Sequence, residues 1–235
     1  MATTKQKLLF VLTSHDKLGN TGHPTGWYLP ELAHPYQFLV QHYDITVASP
    51  LGGVAPLDPS SKEAFAADPD SIAFLNDPVA QHTVANTRKL SSLSKDELVT
   101  FVGVVYPGGH GPMFDLHSDA ESHRVITTVW ENNGVVASVC HGPASVSAVK
   151  LSDGSYLVAD KNVTGFSNAE EDAVNLTAAM PFLLEDELKQ HGARYSKADN
   201  MWAEHVVVDG KLITGQNPAS SHKFAHEIHR VLSQH

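Results

Sequence analysis

Short apolar runs alternate along the chain with segments of helical character. Residues 7–13, 98–106 and 135–139 are almost entirely apolar, and residues 43–48 alternate apolar with polar side chains. Runs of this length are typical of strands buried in a parallel sheet. A short extended piece is predicted at 163–166. Apolar spacing and helix-terminal residues predict helices over residues 30–42, 119–133, 143–150, 168 onward, 182–191 and 220–235.

Two segments depart from this alternation. Residues 205–214 surround Asp209-Gly210, a dipeptide typical of a tight hairpin turn. Residues 49–96 contain five prolines, a Gly-Gly pair and short helical fragments. We interpret them as a small helical insertion or cap after the second strand, rather than as part of the central sheet. The rest predicts one α/β domain over residues 1–235, with a mostly parallel central sheet flanked by helices.

The charge balance narrows the class of partner. The chain has 235 residues, of which 26 are acidic and 16 basic, and its formal net charge is −10. Because it has no cluster of lysine and arginine, we predict no nucleic-acid partner. No apolar run approaches the roughly 20 residues that span a bilayer, and residues 1–7 lack the pattern of a secretory signal. A single cysteine excludes an internal disulfide, so we expect a cytoplasmic protein that does not bind a membrane.

Binding sites of such folds form where parallel strands end and helices begin. This rule brings together the loops after Thr13, Tyr106 and Val139. The third loop holds the only cysteine, in the order strand-Cys140-His141-Gly-Pro-helix. A thiol on such a turn projects into a cleft near the positive end of the next helix, and this favours the reactive thiolate. The alternative is a buried structural cysteine.

Histidine, glycine and acidic residues near these loops supply the other candidate groups. His141 is placed to pair with the thiolate or to carry protons. Gly108 and Gly109, after the third strand, suit an oxyanion hole of backbone N–H groups, although an ordinary glycine turn has the same pattern. Glu31 begins a helix. If it is buried beside the sulfur, its pKa rises and it becomes a general acid or base, whereas an exposed Glu31 is only a partner of the helix dipole.

A third acidic group would orient His141. Glu170, Glu171 and Asp172 all lie at the start of a helix, and position alone does not distinguish them. The alternative is that all three have only a structural role, because acidic residues are common in the first turn of a helix.

Histidines are numerous, and three of them share one face of the last predicted helix. His222, His226 and His229 are spaced to hold a metal, but their pattern is not H-E-x-x-H. We therefore predict a solvated face and no metal.

These motifs together resemble the ThiJ/PfpI superfamily, the branch related to class I glutamine amidotransferases. The similarity extends over nearly the whole chain, and its order is more specific than any single motif. It is also closest to the heat-shock subgroup of glutathione-independent glyoxalases (glyoxalase III), which are also described as stress chaperones and protein deglycases. The segments that carry it are TGWYLPELAHP (25–35), YPGGHG (106–111), VCHGPA (139–144), VTGF (163–166) and LITGQNPASS (212–221).

The resemblance implies a flavodoxin-like sandwich, usually a homodimer, with a site of cysteine, histidine and acid. It makes Cys140 the nucleophile, His141 its partner, Glu31 the acid/base carboxyl and Glu171 the third acid. The backbone donors that it implies are those of Gly109 and His141.

The expected reaction converts methylglyoxal, a small dicarbonyl, to lactate. Cys140 adds to the aldehyde to give a hemithioacetal, Glu31 and His141 move protons through an enediol, and water hydrolyses the thioester. The implied enzyme is a cofactor-free carbon–oxygen lyase of the lactate dehydratase type. Glutathione is unnecessary because the protein supplies the thiol.

Two alternatives from other functional classes stay open. A holdase chaperone would bind unfolded client proteins through exposed apolar surface, independently of the cysteine. A redox sensor would oxidise Cys140 to a sulfenic or sulfinic acid that Glu31 hydrogen-bonds.

Overall fold

The computed structural model describes residues 5–234, and the strands follow the predicted order along the chain. The buried strands β1 and β5 coincide with the apolar runs, because an apolar run can be covered on both faces. The strands are β1 (Lys7–Val11), β2 (Asp44–Ser49), β3 (Arg88–Lys89), β4 (Phe101–Tyr106), β5 (Val135–Val139), β6 (Asn162–Val163), β7 (Arg194–Tyr195), β8 (Val206–Asp209) and β9 (Leu212–Gly215).

Helices connect the strands and flank the sheet. The helix α1 packs against α10 and α3, while α6 packs against β4 and β5. The helices are α1 (Leu29–Leu39), α2 (Pro59–Ala64), α3 (Pro69–Asn76), α4 (Pro78–Ala85), α5 (Lys95–Leu98), α6 (Ala120–Glu131), α7 (Ala144–Ser147), α8 (Asn168–Ala173), α9 (Leu184–Gln190) and α10 (Ser221–Leu232).

The central sheet has the strand order β3-β2-β1-β4-β5-β9-β8. All its pairs are parallel except β8–β9, which forms the predicted hairpin. The inner five strands have the flavodoxin-like order. Strands are added to the sheet on one side of β1 and then on the other, so the order reverses between β1 and β4. The predicted fold class is confirmed.

The interpretation of residues 49–96 is only partly correct. Three short helices, α2 to α4, lie in this segment as expected, but β3 pairs with β2 and extends the central sheet. The pairing is reinforced by a hydrogen bond of 2.7 Å between the hydroxyls of Ser49 and Thr87. A strand of two residues has no periodicity, so the sequence pattern did not reveal it.

Other boundaries also differ. The strand predicted from residue 98 begins at Phe101, because Ser94 caps the short helix α5 before it. The helix predicted over 143–150 ends at Ser147, and the extended piece at 163–166 is β6, which pairs with β7 in a second small sheet. The last helix ends at Leu232. Two predictions extend to residues 1–4 and to residue 235, and those parts lie outside the described residues.

The histidines of α10 lie against α1. The ring of His222 stacks on His34 with centroids 4.0 Å apart, and that of His229 stacks on His42 at 4.1 Å. His226 packs against Phe38. His222 and His226 are exposed, as predicted, but the expectation of a purely solvated face was wrong, because each ring also covers part of α1.

Candidate active site

The loops that follow β1, β4 and β5 surround one cavity at the carboxyl edge of the sheet. Its volume is about 470 Å³. The parallel order of the sheet places these loops side by side, because all three strands end at the same edge. The residues that line it include Glu31, Gly109, His110, Cys140 and His141.

Cys140 occupies a strained turn directly after β5. Its φ is +62°, in the left-handed region that non-glycine residues rarely adopt. Backbone hydrogen bonds hold this conformation: Cys140 N–H donates to Gly215 at 2.9 Å, and its carbonyl accepts from Phe166 N–H at 2.8 Å. Strain of this kind persists only where the surroundings enforce it, and it is common at functional sites.

Gly108 allows Glu31 to reach the turn. A Cβ atom at position 108 would lie 2.6 Å from Glu31 Oε2 and 2.8 Å from the backbone nitrogen of His141. A side chain there would therefore occupy the space between the carboxyl and the cysteine turn. Position 108 therefore requires glycine, because the carboxyl of Glu31 and the backbone of His141 approach it too closely for a side chain.

Glu31 is completely buried on the first turn of α1. Burial raises the pKa of Glu31 to about 8, although contacts with Cys140 and with the backbone of Gly108 and Gly109 lower it in part. Neither carboxyl oxygen has a hydrogen-bond partner of good geometry among residues 5–234. The side chain is therefore mainly the neutral acid at pH 7, beside the sulfur.

His141 is held by two groups. Its Nδ1 lies 3.4 Å from Cys140 Sγ, and its Nε2 lies 2.6 Å from Glu171 Oε2. An ionised carboxylate only accepts hydrogen bonds, so Nε2–H donates to Glu171 and Nδ1 is left as the acceptor that faces the thiol. This tautomer can take the proton of Cys140.

Glu171 accepts from a second imidazole as well. His110 Nε2–H donates to Glu171 Oε1 at 2.9 Å, and the rings of His110 and His141 are 4.1 Å apart. Burial opposes ionisation of Glu171, but the charges and hydrogen bonds of the two histidines outweigh it and hold the pKa of Glu171 well below its usual range. Burial and His110 in turn lower the pKa of His141.

The sulfur differs from the sequence expectation. Burial raises the pKa of Cys140 well above its usual value, and any charge on Glu31 raises it further. The surroundings of the sulfur therefore oppose the expected resting thiolate: α7 has only four residues, so its dipole is a weak counterweight to burial. The structure has instead a thiol next to a base.

The neighbouring acids at the start of α8 are now distinguished. Glu170 accepts hydrogen bonds from Ser167, Gln216 and Asn217 and forms the capping box of the helix. Only Glu171 of the pair reaches the imidazole of His141. Asp172 lies farther along and bonds to Thr177.

The backbone near the thiol offers an N–H group for an oxyanion. His141 N–H donates to no acceptor among residues 5–234, whereas the N–H groups of Gly108 and Gly109 face Glu31. The free N–H can stabilise an oxyanion that forms beside the sulfur.

His110 and two aromatic residues were missed by the sequence interpretation. His110 follows Gly109 directly, and its place in a glycine loop at a strand end was the available signal. Tyr28 and Trp202 also line the cavity, and Trp202 is in a left-handed conformation at φ +66°. Trp202 comes from a loop far along the chain, and no local pattern indicates that it reaches the site.

His110, His141 and Glu171 each place one possible metal-ligating atom within 4.8 Å of the others. Their mutual hydrogen bonds already account for this proximity, because each carboxyl oxygen of Glu171 accepts from one imidazole.

Residues 79–230 match the DJ-1/PfpI family. The chain belongs to this family. The resemblance found in the sequence motifs is thereby confirmed.

Named relatives of this DJ-1/PfpI protein cover nearly its full length. Glyoxalase 3 from Candida albicans is 32% identical, covering 94% of this chain and 96% of the relative. Glutathione-independent glyoxalase HSP31 from Saccharomyces cerevisiae is 29% identical, covering 94% of this chain and 95% of the relative. Rapid Encystment Protein 24 KDa from Francisella tularensis, a solved structure, superposes with a TM-score of 0.90 at 38% identity and covers 97% of this chain and 99% of that chain.

In this DJ-1/PfpI protein, no helix among the described residues is long and apolar enough to cross a membrane.

Proposed function

We propose that the protein is a glutathione-independent glyoxalase, which converts methylglyoxal and water to lactate with Cys140 as nucleophile. Two relatives that match it over nearly their full length are named as glyoxalases. The observation that carries the proposal is the thiol of Cys140 in contact with an acceptor nitrogen of His141 and with the neutral carboxyl of Glu31.

The first step forms a bond between sulfur and the aldehyde carbon. His141 Nδ1 takes the thiol proton as Cys140 attacks, and the free N–H of His141 hydrogen-bonds the oxyanion. The proton returns to this oxygen, which gives a neutral hemithioacetal. Glu171 remains ionised and stabilises the positive charge that His141 carries during the step.

The second step moves hydrogen between the two substrate carbons. His141 removes the proton from the aldehyde-derived carbon while Glu31 donates its proton to the neighbouring carbonyl oxygen, which gives an enediol. His141 then protonates the second carbon, and Glu31 takes the proton of the hydroxyl on the aldehyde-derived carbon, so that oxygen becomes the carbonyl of a lactoyl thioester. A carboxyl with a pKa of about 8 suits this role, because it is protonated at neutral pH and can also accept a proton.

The final step hydrolyses the thioester. His141 takes a proton from water as it attacks, the sulfur leaves and is reprotonated, and lactate is released. The cavity is much larger than a three-carbon ligand and has room for this water. Exposed Glu63 lines the cavity, and ionised Glu171 lies close to it. Their negative charges repel the lactate anion but not the neutral substrate, so they favour release of the product.

The test measures lactate from methylglyoxal without added glutathione in the wild type, Cys140→Ala and Glu31→Gln. We expect Cys140→Ala to be inactive and Glu31→Gln to lose about 10²–10⁴-fold in kcat. The Glu31→Gln protein should also accumulate a Cys140 adduct with the mass of one methylglyoxal, because addition still occurs while proton transfer is blocked.

A matched control is Ser138→Ala. It removes one buried side-chain heteroatom from β5, two residues before the cysteine, and that hydroxyl has no hydrogen-bond partner among residues 5–234. It should keep its activity. Turnover by Cys140→Ala at the wild-type rate would rule the proposal out.

A further inference from the structure

A second group of possible metal-ligating side chains lies outside the cavity of the candidate active site, where α1, α3 and α10 meet. His34 belongs to α1, Asp70 to α3 and His222 to α10. One possible ligand atom of each lies within 4.8 Å of those of the other two, and His222 Nε2 is 3.6 Å from Asp70 Oδ2. None of these residues takes part in the reaction proposed above.

His34 has one nitrogen held and one nitrogen without a partner. Its Nε2–H donates to Asp68 Oδ2 at 2.8 Å, and Asp68 is itself fixed as the N-cap of α3 by the N–H of Ser71. The side chain of His34 is only 7% exposed. Its other nitrogen, Nδ1, is buried and has no hydrogen-bond partner among the described residues. Buried polar atoms are nearly always paired, so this nitrogen calls for a partner.

The carboxylate behind the imidazole points to the kind of partner. Metal-ligating histidines usually donate their second N–H to a carboxylate, which fixes the tautomer and makes the free nitrogen a better ligand. Asp68 has this relation to His34.

The surrounding space can take an ion and its water. The three side chains line a separate cavity of about 270 Å³, and His226 lies on its wall as well. Gln37 is also on its wall. The cavity is polar on the side of α10 because His222 and His226 face it.

The present ring positions need one adjustment. His34 and His222 are stacked, with an interplanar angle of 20°, so their nitrogens do not yet point at one common centre. The side chain of His222 is 57% exposed and that of Asp70 is 46% exposed, and both can change rotamer without disturbing the core. His34 and Asp68 are the fixed half of the group.

We infer that His34, Asp70 and His222 form a binding site for a divalent transition-metal ion of the Zn²⁺ class, oriented by Asp68. Two imidazoles and one carboxylate suit Zn²⁺ and its neighbours, whereas Mg²⁺ and Ca²⁺ prefer oxygen ligands. Three protein ligands leave a position for water or for His226. A bound ion ties α10 and α3 to α1, the helix that carries Glu31. This site differs from the sequence expectation of no metal, because its ligands come from three separate helices.

The experiment measures ion binding and does not use enzyme activity. Metal-free protein is titrated with Zn²⁺ by calorimetry and with Co²⁺ by absorption, in the wild type, His222→Ala, Asp70→Asn and Cys140→Ala. His82→Ala removes an exposed histidine from α4 and is the matched control. We expect one bound ion in the wild type, in His82→Ala and in Cys140→Ala, with cobalt d–d bands and no thiolate-to-cobalt charge-transfer band.

The two ligand variants decide the result. His222→Ala and Asp70→Asn change exposed side chains, so both should fold and both should lose the ion. Asp68→Asn should weaken binding by about 10–100-fold, as expected for a residue that orients a ligand. The thermal midpoint of the wild type, but not of His222→Ala, should rise with added Zn²⁺.

Three outcomes would overturn the inference. They are no bound ion in the wild type, undiminished binding in both His222→Ala and Asp70→Asn, and a charge-transfer band that disappears in Cys140→Ala. The last result would place the ion at the catalytic cysteine. None of these outcomes bears on lactate formation, so the metal site and the proposed activity fail or stand separately.

Discussion

Four ionisable side chains within one small volume are held in different protonation states by their surroundings. Burial keeps Glu31 protonated, while Glu171 has two imidazole donors and stays ionised. Cys140 is a buried thiol, and His141 is a neutral base whose tautomer is fixed. Pairs of groups whose pKa values are driven apart in this way can serve as acid and base at a single pH.

The role of the third acid can be tested at neighbouring positions. The negative charge of Glu171 holds the tautomer of His141 and raises the pKa of His141. Glu171→Gln removes this charge, so we expect kcat to fall by about 10²–10⁴-fold. The acidic limb of the pH–rate profile should move to lower pH, because His141 then protonates less readily. Steady-state kinetics across the pH range measures both effects.

Glu170→Gln is the matched comparison. It disturbs the capping box of α8 and should lower the thermal midpoint while leaving the acidic limb nearly in place. If Glu170→Gln shifted the profile and Glu171→Gln did not, the assignment of the third acid would be reversed.

The elements contribute to the site through the turns at their ends. The loop after β4 approaches the loop before α1 so closely that Tyr28 N–H donates to the carbonyl of Gly108 at 3.2 Å. Gly109 has φ +85°, and a Cβ atom there would lie 2.1 Å from the carbonyl oxygen of Gly26. The loop geometry therefore depends on the absence of a side chain.

Gly109→Ala should destabilise the fold and reduce activity together. Its left-handed backbone alone costs roughly 1–2 kcal/mol for a residue with a Cβ, and the clash adds roughly 1–3 kcal/mol because backbone must move. Gly154→Ala is the matched control, since Gly154 has φ +87° but nothing within 4 Å of the added carbon. Chemical denaturation should show only the smaller loss for Gly154→Ala, which should keep full activity. Equal losses in the two variants would contradict this account.

At the scale of the whole molecule, the buried acid of the site affects stability. The folded protein keeps a proton on Glu31 up to a pKa of about 8, whereas the unfolded chain releases it near 4.5. Between these values the folded state binds more protons, so the free energy of unfolding falls as pH rises. The full contribution of the neutral acid is present below pH 4.5 and is lost as pH rises through about 8.

Glu31→Gln should remove this dependence, because its amide does not ionise. We expect the stability of the wild type relative to the variant to fall by about 1.4 kcal/mol per pH unit within that window. Urea denaturation of both proteins at several pH values measures the difference. Parallel pH curves would show that Glu31 ionises normally in the folded state.

The homodimer, the cytoplasmic location, the deglycase activity and the binding of unfolded clients remain predictions. They concern surfaces and partners outside a single chain. The holdase and redox-sensor hypotheses remain predictions as well.

The sequence by itself determined the fold class and most of the candidate site. Apolar runs indicate buried strands because a sheet with helices on both sides covers both faces of each run, and strand ends then bring Cys140, His141 and Gly108 together. The family resemblance added Glu31 and Glu171, with Glu170 as the neighbouring alternative. The structure brings these residues together because each prediction depends on local pattern and on the fixed geometry of parallel strands.

Only the tertiary structure decided the protonation states, the choice of Glu171 over Glu170, and the contributions of His110 and β3. The pKa of Cys140 depends on how deeply the turn is buried, which a sequence pattern does not specify. The same reason hid the group of His34, Asp70 and His222, whose members come from three helices. Properties that depend on distance between remote segments follow from packing, and packing is fixed only by the complete fold.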